Sequence, residues 1–171
     1  MAGGFDTTRE MGGRSAHLTA GIGRLRQAGD SLPITSASTR SGVFLTPENR
    51  LSGGVIRVLE SFQSELFSDA TRARFIETRF RRDPRANRQG VRLDMDGDGF
   101  HAKGGLSIVS EVITPGDIQV TGDGAPYVLM CESQTTGGYP RIGTVIPADL
   151  PKVAQAPAGA ELRFESVSLA G

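Results

Sequence analysis

The sequence predicts a mainly β protein, a barrel or sandwich of short and mostly antiparallel strands with a few short helices. Three observations predict it. Short apolar runs recur at regular spacing from Val91 onward, turn residues separate them, and only two stretches carry helix-start signals. The chain has 23 glycines and 9 prolines in 171 residues, the punctuation that many short strands need. Its length fits one domain.

Residues 1–54 are polar and turn-heavy, with glycines paired at Gly3-Gly4, Gly12-Gly13, Gly21/Gly23 and Gly53-Gly54, and with brief apolar pieces such as Gly42-Val43-Phe44-Leu45. They are too poor in apolar residues to build a core, so this segment is expected to wrap a core made elsewhere, or a partner. Val55–Leu59 reads as a strand from its β-branched content. Ser68-Asp69-Ala70 reads as an N-cap with an acid in the first turn. The helix is expected over 69–79, with Ala73, Ile76 and Phe80 on one face and Asp83-Pro84 ending it.

Further strands are expected at Val91–Asp94, Leu106–Ile113, Ile118–Val120, Pro126–Cys131, Ile142–Ile146 and Glu161–Leu169. The turns between them are Asp96-Gly97-Asp98-Gly99, Pro115-Gly116-Asp117, Gly122-Asp123-Gly124 and Gly137-Gly138. In the last strand Leu162 and Phe164 share one face and Val167 and Leu169 the other, which predicts a bulge. A helical turn at 149–155 takes Asp149 as cap and Pro151 in its first turn.

Composition excludes several classes. Lys+Arg and Asp+Glu both number 19, so no global field draws the chain to nucleic acid or to an acidic membrane. Two tyrosines and no tryptophan argue against stacking on bases or sugars. The single cysteine, Cys131, rules out an intramolecular disulfide and any cysteine-based zinc site, and its apolar run Tyr127–Cys131 reads as a buried, inert thiol. No basic, then apolar leader opens the sequence, and no run reaches the roughly 18–20 apolar residues of a membrane span. A cytoplasmic protein is the expectation.

His17 and His101 have no second ligand at metal spacing, and no metal site is expected. Asp94-Met95-Asp96-Gly97-Asp98-Gly99 imitates the start of a calcium loop, but the twelfth position is Gly105 where a bidentate Glu belongs, so it reads as a hairpin turn. Gly21-Ile22-Gly23 lacks a preceding strand and a third glycine, and reads as a turn.

Two stretches carry candidate chemistry. From 72 to 92 there are eight arginines (72, 74, 79, 81, 82, 85, 88, 92) against Glu77 and Asp83. This is either a solvated face or, where Arg88 and Arg92 flank Gly90 beside Asn87, an anion-binding pair. The second stretch is Gln134-Thr135-Thr136-Gly137-Gly138-Tyr139-Pro140. Its glycines let a ligand approach backbone N–H groups and Tyr139 offers a flat wall with a polar tip, but a tight loop between barrel strands fits equally well.

The Gln134–Pro140 and Thr144–Gln155 stretches, with Gly159 and Leu162-Arg163-Phe164, resemble the carboxyltransferase family also called allophanate hydrolase subunit 2. Weaker matches follow in order at Ala2–Asp6, at Arg14-Ser15 leading to Gly21–Gly23, and from Asn87-Arg88 through Gly90 to Arg92-Leu93. The resemblance implies a cyclophilin-like β-barrel, here as the C-terminal part of the family fold without its glycine- and proline-rich front portion. It also implies a subunit of an ATP-dependent lactam hydrolase, 5-oxoprolinase first. The alternatives are the carboxyltransferase half of a biotin-dependent urea carboxylase and a non-enzymatic regulator of the KipI-antagonist type.

Under that resemblance Gln134, Thr135 and Tyr139 are the candidate catalytic residues, and Asn87, Arg88, Arg92, Thr136, Gly137 and Gly138 bind substrate or an anion. ATP is the implied cofactor, bound by the complex if not by this chain, with biotin only in the alternative reading. The implied partners are a sister subunit of similar fold (allophanate hydrolase subunit 1, or KipI-like) and a lactam-hydrolase barrel subunit.

Overall fold

The computed structural model describes residues 4–35, 46, 54–104 and 108–168, in two compact units, 1–46 and 47–171. The expectations for Ala2-Gly3, Gly42–Leu45, Gly53, Leu106 and Leu169 lie outside the described residues.

In the first unit none of the residues 4–18 and 20–35 is buried, as their sparse apolar content predicts. The backbone is held by isolated bridges, Phe5 to Ile34, Glu10 to Gly13 and His17 to Ile22, and by a bidentate Arg24–Asp30 pair at 2.7 Å. Gly21–Gly23 is a turn. It follows a short 3₁₀ segment, Leu18–Ala20, capped by His17 Nδ1.

The second unit is a closed barrel. Its strands are β1 (Gly54–Leu59), β2 (Phe80–Arg82), β3 (Gly90–Asp94), β5 (Asp117–Val120), β6 (Pro126–Leu129), β8 (Arg141–Val145) and β9 (Glu161–Ser166). The order around the wall is β1-β8-β5-β6-β3-β2-β9. Every pairing is antiparallel except the parallel β1–β9 seam that closes the ring. A separate two-stranded sheet joins β4 (Glu111–Val112) to β7 (Thr136–Gly137).

Period-two alternation decides which side chains enter the barrel. Ile56 and Val58, Val91 and Leu93, Ile118 and Val120, and Leu162 and Phe164 point inward and are all at most 4% exposed. One end of the core is aromatic. Phe75, Phe80, Phe100 and Phe164 pack with ring centroids 4.9–5.9 Å apart, and the Arg74 guanidinium lies 4.0 Å over the Phe100 ring.

Helix α1 (Asp69–Glu77) starts as expected, with Ser68 Oγ accepting from Thr71 N–H at 3.1 Å. Its buried residue is Phe75, Ala73 is exposed, and Phe80 belongs to β2. The helix stops before Asp83-Pro84 because Thr78 turns extended and its hydroxyl caps the Arg74 carbonyl at 2.6 Å, freeing Phe80–Arg82 to fill the wall between β9 and β3. Helix α2 (Leu150–Gln155) carries its proline in the first turn.

Three further expectations are corrected. β9 runs in unbroken register with β1 from Leu162 to Ser166, so the phase change at Val167 marks the strand end; the register shift lies between Ile118 and Gln119, where β5 meets β8. β6 ends at Leu129, which leaves Cys131 exposed on the following turn. Asp149 sits at the N-cap position of α2 without capping it. Its carboxylate is taken by Arg57 N–H, Nε and Nη2 at 2.8–3.0 Å and by Lys152 Nζ at 3.0 Å.

The calcium-like loop is a bend in which Asp96 pairs with Arg81 at 2.8 Å and Asp94 with Arg92 at 3.4 Å, and the Asp98 carbonyl accepts from Arg74 Nη1 at 2.7 Å. Its Gly99 has a packing reason. A Cβ there would stand 2.7 Å from Cα of Gly124, itself at φ +79°, so two backbones touch where side chains have no room. No cluster of metal-ligating side chains occurs among the described residues.

Candidate functional site

The pairing register writes one polar row across the outer wall of the barrel. Arg92 on β3 stands opposite Tyr127 on β6, Tyr127 opposite Gln119 on β5, and Gln119 opposite Arg141 on β8. Their strand neighbours Val91, Leu93, Val128, Ile118 and Val120 point inward, so alternation sends this row outward. The first three line a cavity of about 330 Å³, the low end of the range for small-ligand sites. Leu129 and its cross-strand partner Gly90 line it too, Asn87 and Gln89 come from the turn before β3, and Gln134 and Tyr139 come from the loop around β7.

The structure brings together Asn87, Arg92, Gln134 and Tyr139. Arg88, Thr135, Thr136, Gly137 and Gly138 are not among the lining residues. Arg88 sits outside β3 on the preceding turn, where its guanidinium pairs with Glu132 and its carbonyl accepts from Glu132 N–H at 2.9 Å. Arg88 and Arg92 therefore do not form one anion-binding pair. The Thr135 carbonyl accepts from Ile113 N–H, Thr136 and Gly137 pair with β4, and the Gly138 carbonyl accepts from Ile108 N–H. Gly137 is small for a reason. A Cβ there would lie 2.6 Å from Gln119 Nε2, so the loop crosses directly over that amide.

Arg92 is already neutralised. Its Nη1 is 3.1 Å from Asp123 Oδ2 and 3.1 Å from Tyr127 Oη, and its Nε is 3.4 Å from Asp94 and 3.7 Å from Asp83. The Tyr127 and Asp123 contacts raise its pKa further. Asp83, 1% exposed, takes hydrogen bonds from the Arg85 side chain and backbone that hold it well below the usual carboxylate range. A guanidinium ringed by three carboxylates anchors the wall and polarises the Tyr127 hydroxyl; it adds little net attraction for an anion.

Gln119 is 3% exposed although it faces outward, because the β7 loop covers it. Its Nε2 donates to the Tyr139 carbonyl at 3.3 Å. Behind it Arg141 draws β4 and the 61–64 turn against the wall, through Glu111 at 2.9 Å, Asp117 at 3.1 Å and Gln63 Oε1, which accepts from Arg141 N–H at 2.9 Å. Asn87 Oδ1 is spent on the N–H groups of Gln89 and Gly90. The cavity is thus rich in amides and hydroxyls, and none of its lining residues is a carboxylate, histidine, cysteine or lysine.

Arg85, Gln89, Gln119, Thr121, Tyr127 and Leu129 also line the cavity, and no motif in the sequence singles them out. The polar residues enclosed in the apolar strands Ile118–Val120 and Pro126–Cys131 were the available signal.

Comparison with known proteins then decides the family. The model of the carboxyltransferase domain, subdomain A and B, matches residues 1–166. The chain belongs to this carboxyltransferase domain family. It is 36% identical to a 5-oxoprolinase subunit of Escherichia coli (strain K12), an alignment that covers 99% of this chain and 55% of that protein. The corresponding 5-oxoprolinase subunit of Haemophilus influenzae is 34% identical over the same shares, so the chain spans about half the length of the curated relatives it matches. Among solved structures, TTHA0988 superposes with a TM-score of 0.72 at 31% identity, covering 96% of this chain and 32% of that one. The urea amidolyase of K. lactis superposes with a TM-score of 0.68 at 25% identity, covering 97% of this chain and 12% of that one.

The fold expected from the resemblance, a mainly β barrel with short helices, is the fold observed. No helix among the described residues is long and apolar enough to cross a membrane.

Proposed function

We propose that this chain forms part of one subunit of a 5-oxoprolinase-type enzyme, which opens the lactam of 5-oxoproline to glutamate at the expense of ATP. The observation that carries this reading is the 34–36% identity to two 5-oxoprolinase subunits over 99% of the chain. The cavity supports it. A small hollow lined by Leu129 and by amides and hydroxyls suits the lactam ring of such a substrate, and donors such as Tyr127, Gln134 and Tyr139 are the kind that stabilise a developing oxyanion.

In this reading Gln134 and Tyr139 touch the substrate, whereas Thr135, Thr136, Gly137 and Gly138 shape the loop that carries them. Asn87 supports the rim and Arg92 tunes Tyr127. ATP is used by the assembled enzyme. Among the described residues the cavity lining holds no side chain suited to take a proton from water near neutrality, so that group comes from outside this lining in the assembled enzyme, whose other parts include the sister subunit of similar fold and the lactam-hydrolase barrel subunit. The structural likeness to a urea amidolyase favours a second reading, a carboxyltransferase half serving carboxybiotin and urea.

The test is release of ADP and glutamate from 5-oxoproline and ATP, with the chain assembled with its partner subunits. Turnover that requires this chain, falls about tenfold or more in Tyr139→Phe, and is absent from the chain alone is the expected result. An assembled complex that is folded and inert toward 5-oxoproline, but carboxylates urea from carboxybiotin, would replace the first reading by the second.

A further inference from the structure

We propose that Gln119 and Tyr127 together read the edge of a cis-amide, with Gln119 selecting for the ring N–H. The inference rests on the cavity being the lactam site, and it assigns specificity to two residues of the wall.

The orientation of the Gln119 amide is forced. A carbonyl can only accept, so the group facing the Tyr139 carbonyl at 3.3 Å is the Nε2 donor, and Oε1 is the other end. Among the described residues Oε1 meets no donor. Nor is it one of the fully enclosed atoms without a partner, which are Arg72 Nε and Arg82 Nε. Gln119 lines the cavity, and in the proposal that acceptor goes to the ligand. Tyr127 supplies the complement. Its oxygen accepts from Arg92 Nη1 at 3.1 Å, which leaves the phenolic proton to be donated into the cavity.

Register then matters more than either residue alone. Gln119 and Tyr127 are direct cross-strand partners, which places their Cβ atoms about 5 Å apart on the same face. An acceptor and a donor that reach one cavity from neighbouring strands match an amide whose N–H and C=O lie on one edge. Lactams and urea have that edge; an open-chain trans amide points the two groups in opposite directions. Leu129 takes the ring methylenes, and Tyr139 lines the same cavity. A lactone of the same shape keeps the carbonyl but sets a lone pair against Gln119 Oε1, leaving a nearly buried acceptor unpaired.

The experiment titrates the full chain with pyrrolidin-2-one and with γ-butyrolactone, following ¹H–¹⁵N spectra. The lactam is expected to bind about tenfold or more tightly than the lactone. Gln119→Met brings the ratio near one. Tyr127→Phe weakens both ligands to a similar degree and keeps the ratio, a separate arm in case Gln119→Met disturbs the Tyr139 loop. Equal affinities in the unmodified chain, absence of lactam binding, or a preference that survives in Gln119→Met overturns the proposal.

The two readings fail separately. An assembled enzyme that turns over 5-oxoproline while Gln119→Met retains the lactam preference removes the role of Gln119 and leaves the function. The expected ratios in an assembly that never turns over 5-oxoproline leave the role and remove the function.

Discussion

Cys131 lies one turn beyond the end of β6, and its exposure follows from where the strand stops. Its apolar run reads as continuous strand, but Met130 N–H already bonds Gln89 O and the chain then turns through Glu132, whose N–H reaches Arg88 O. The native protein should therefore react with one equivalent of a thiol reagent such as Ellman's without denaturant. A thiol that reacts only after unfolding would contradict the structure. Asp149 shows the opposite case, a residue that reads as a local cap and acts over long range. Its buried carboxylate ties α2 to β1 through Arg57. Asp149→Asn keeps the shape but weakens the charge-assisted bonds, and should cost about 2 kcal/mol in urea unfolding. A loss within about 0.5 kcal/mol would show that the residue only caps the helix.

At the scale of elements, β7 is the part whose role changes most between sequence and structure. Its glycines read as open space for a ligand, yet Gly137 is small because Gln119 lies directly beneath it. Gly137→Ala should push the Gln119 amide off the Tyr139 carbonyl and weaken lactam binding by about tenfold, while the barrel melts within a few degrees of the parent. Unchanged binding would mean that the loop lifts freely and does not set the wall.

The reading of the other elements divides along the same physical line. β1, β3, β5, β6, β8 and β9, and the start of α1, were legible because alternation, the Ser68 cap and turn residues are local signals; α2 was placed by its first-turn proline, and Asp149 does not cap it. β2 was not, since Arg79–Arg82 has no β-branched residue and follows a helix without a break; the core's demand for Phe80 beside Phe75 and Phe164 makes it a strand. Half of the site was hidden for a related reason. The Gly122-Asp123-Gly124 turn makes β5 and β6 a local hairpin, but nothing local states that Gln119 and Tyr127, 8 positions apart, face each other across it, or that β3 lies beside β6.

At the scale of the whole molecule, the ionic design is one-sided. Asp30 is held at about 2 by Arg24, and Asp69, Asp83, Asp96, Asp123, Asp149 and Glu161 are all lowered, chiefly by hydrogen bonds from arginine side chains and, for Asp123, from Thr121. Between their folded values and the unfolded value near about 4, the unfolded chain binds more protons than the native one, so stability rises with pH through that window. Below it the contribution is lost; above about pH 5 it is complete. Exposure decides which groups matter. The side chains of Asp69 and Asp96 are 94% and 87% exposed and water screens their pairs, whereas those of Asp83 and Asp149 are 1% and 3% exposed.

The melting temperature should therefore be flat from about pH 5 to 7 and fall steeply below about pH 4. The double variant Asp83→Asn, Asp149→Asn should start lower and fall less on acidification. The parallel seam gives this a structural meaning, because Arg57, the main partner of Asp149, stands on β1 opposite Glu165 of β9. Asp149 stays ionised in the folded barrel while the unfolded chain takes up a proton as pH falls, so the contribution of this tie to the closing strand is what acid removes. Circular dichroism melts from pH 3 to 7 measure the limb, and an acid limb equally steep in the double variant would place the sensitivity in the exposed pairs instead.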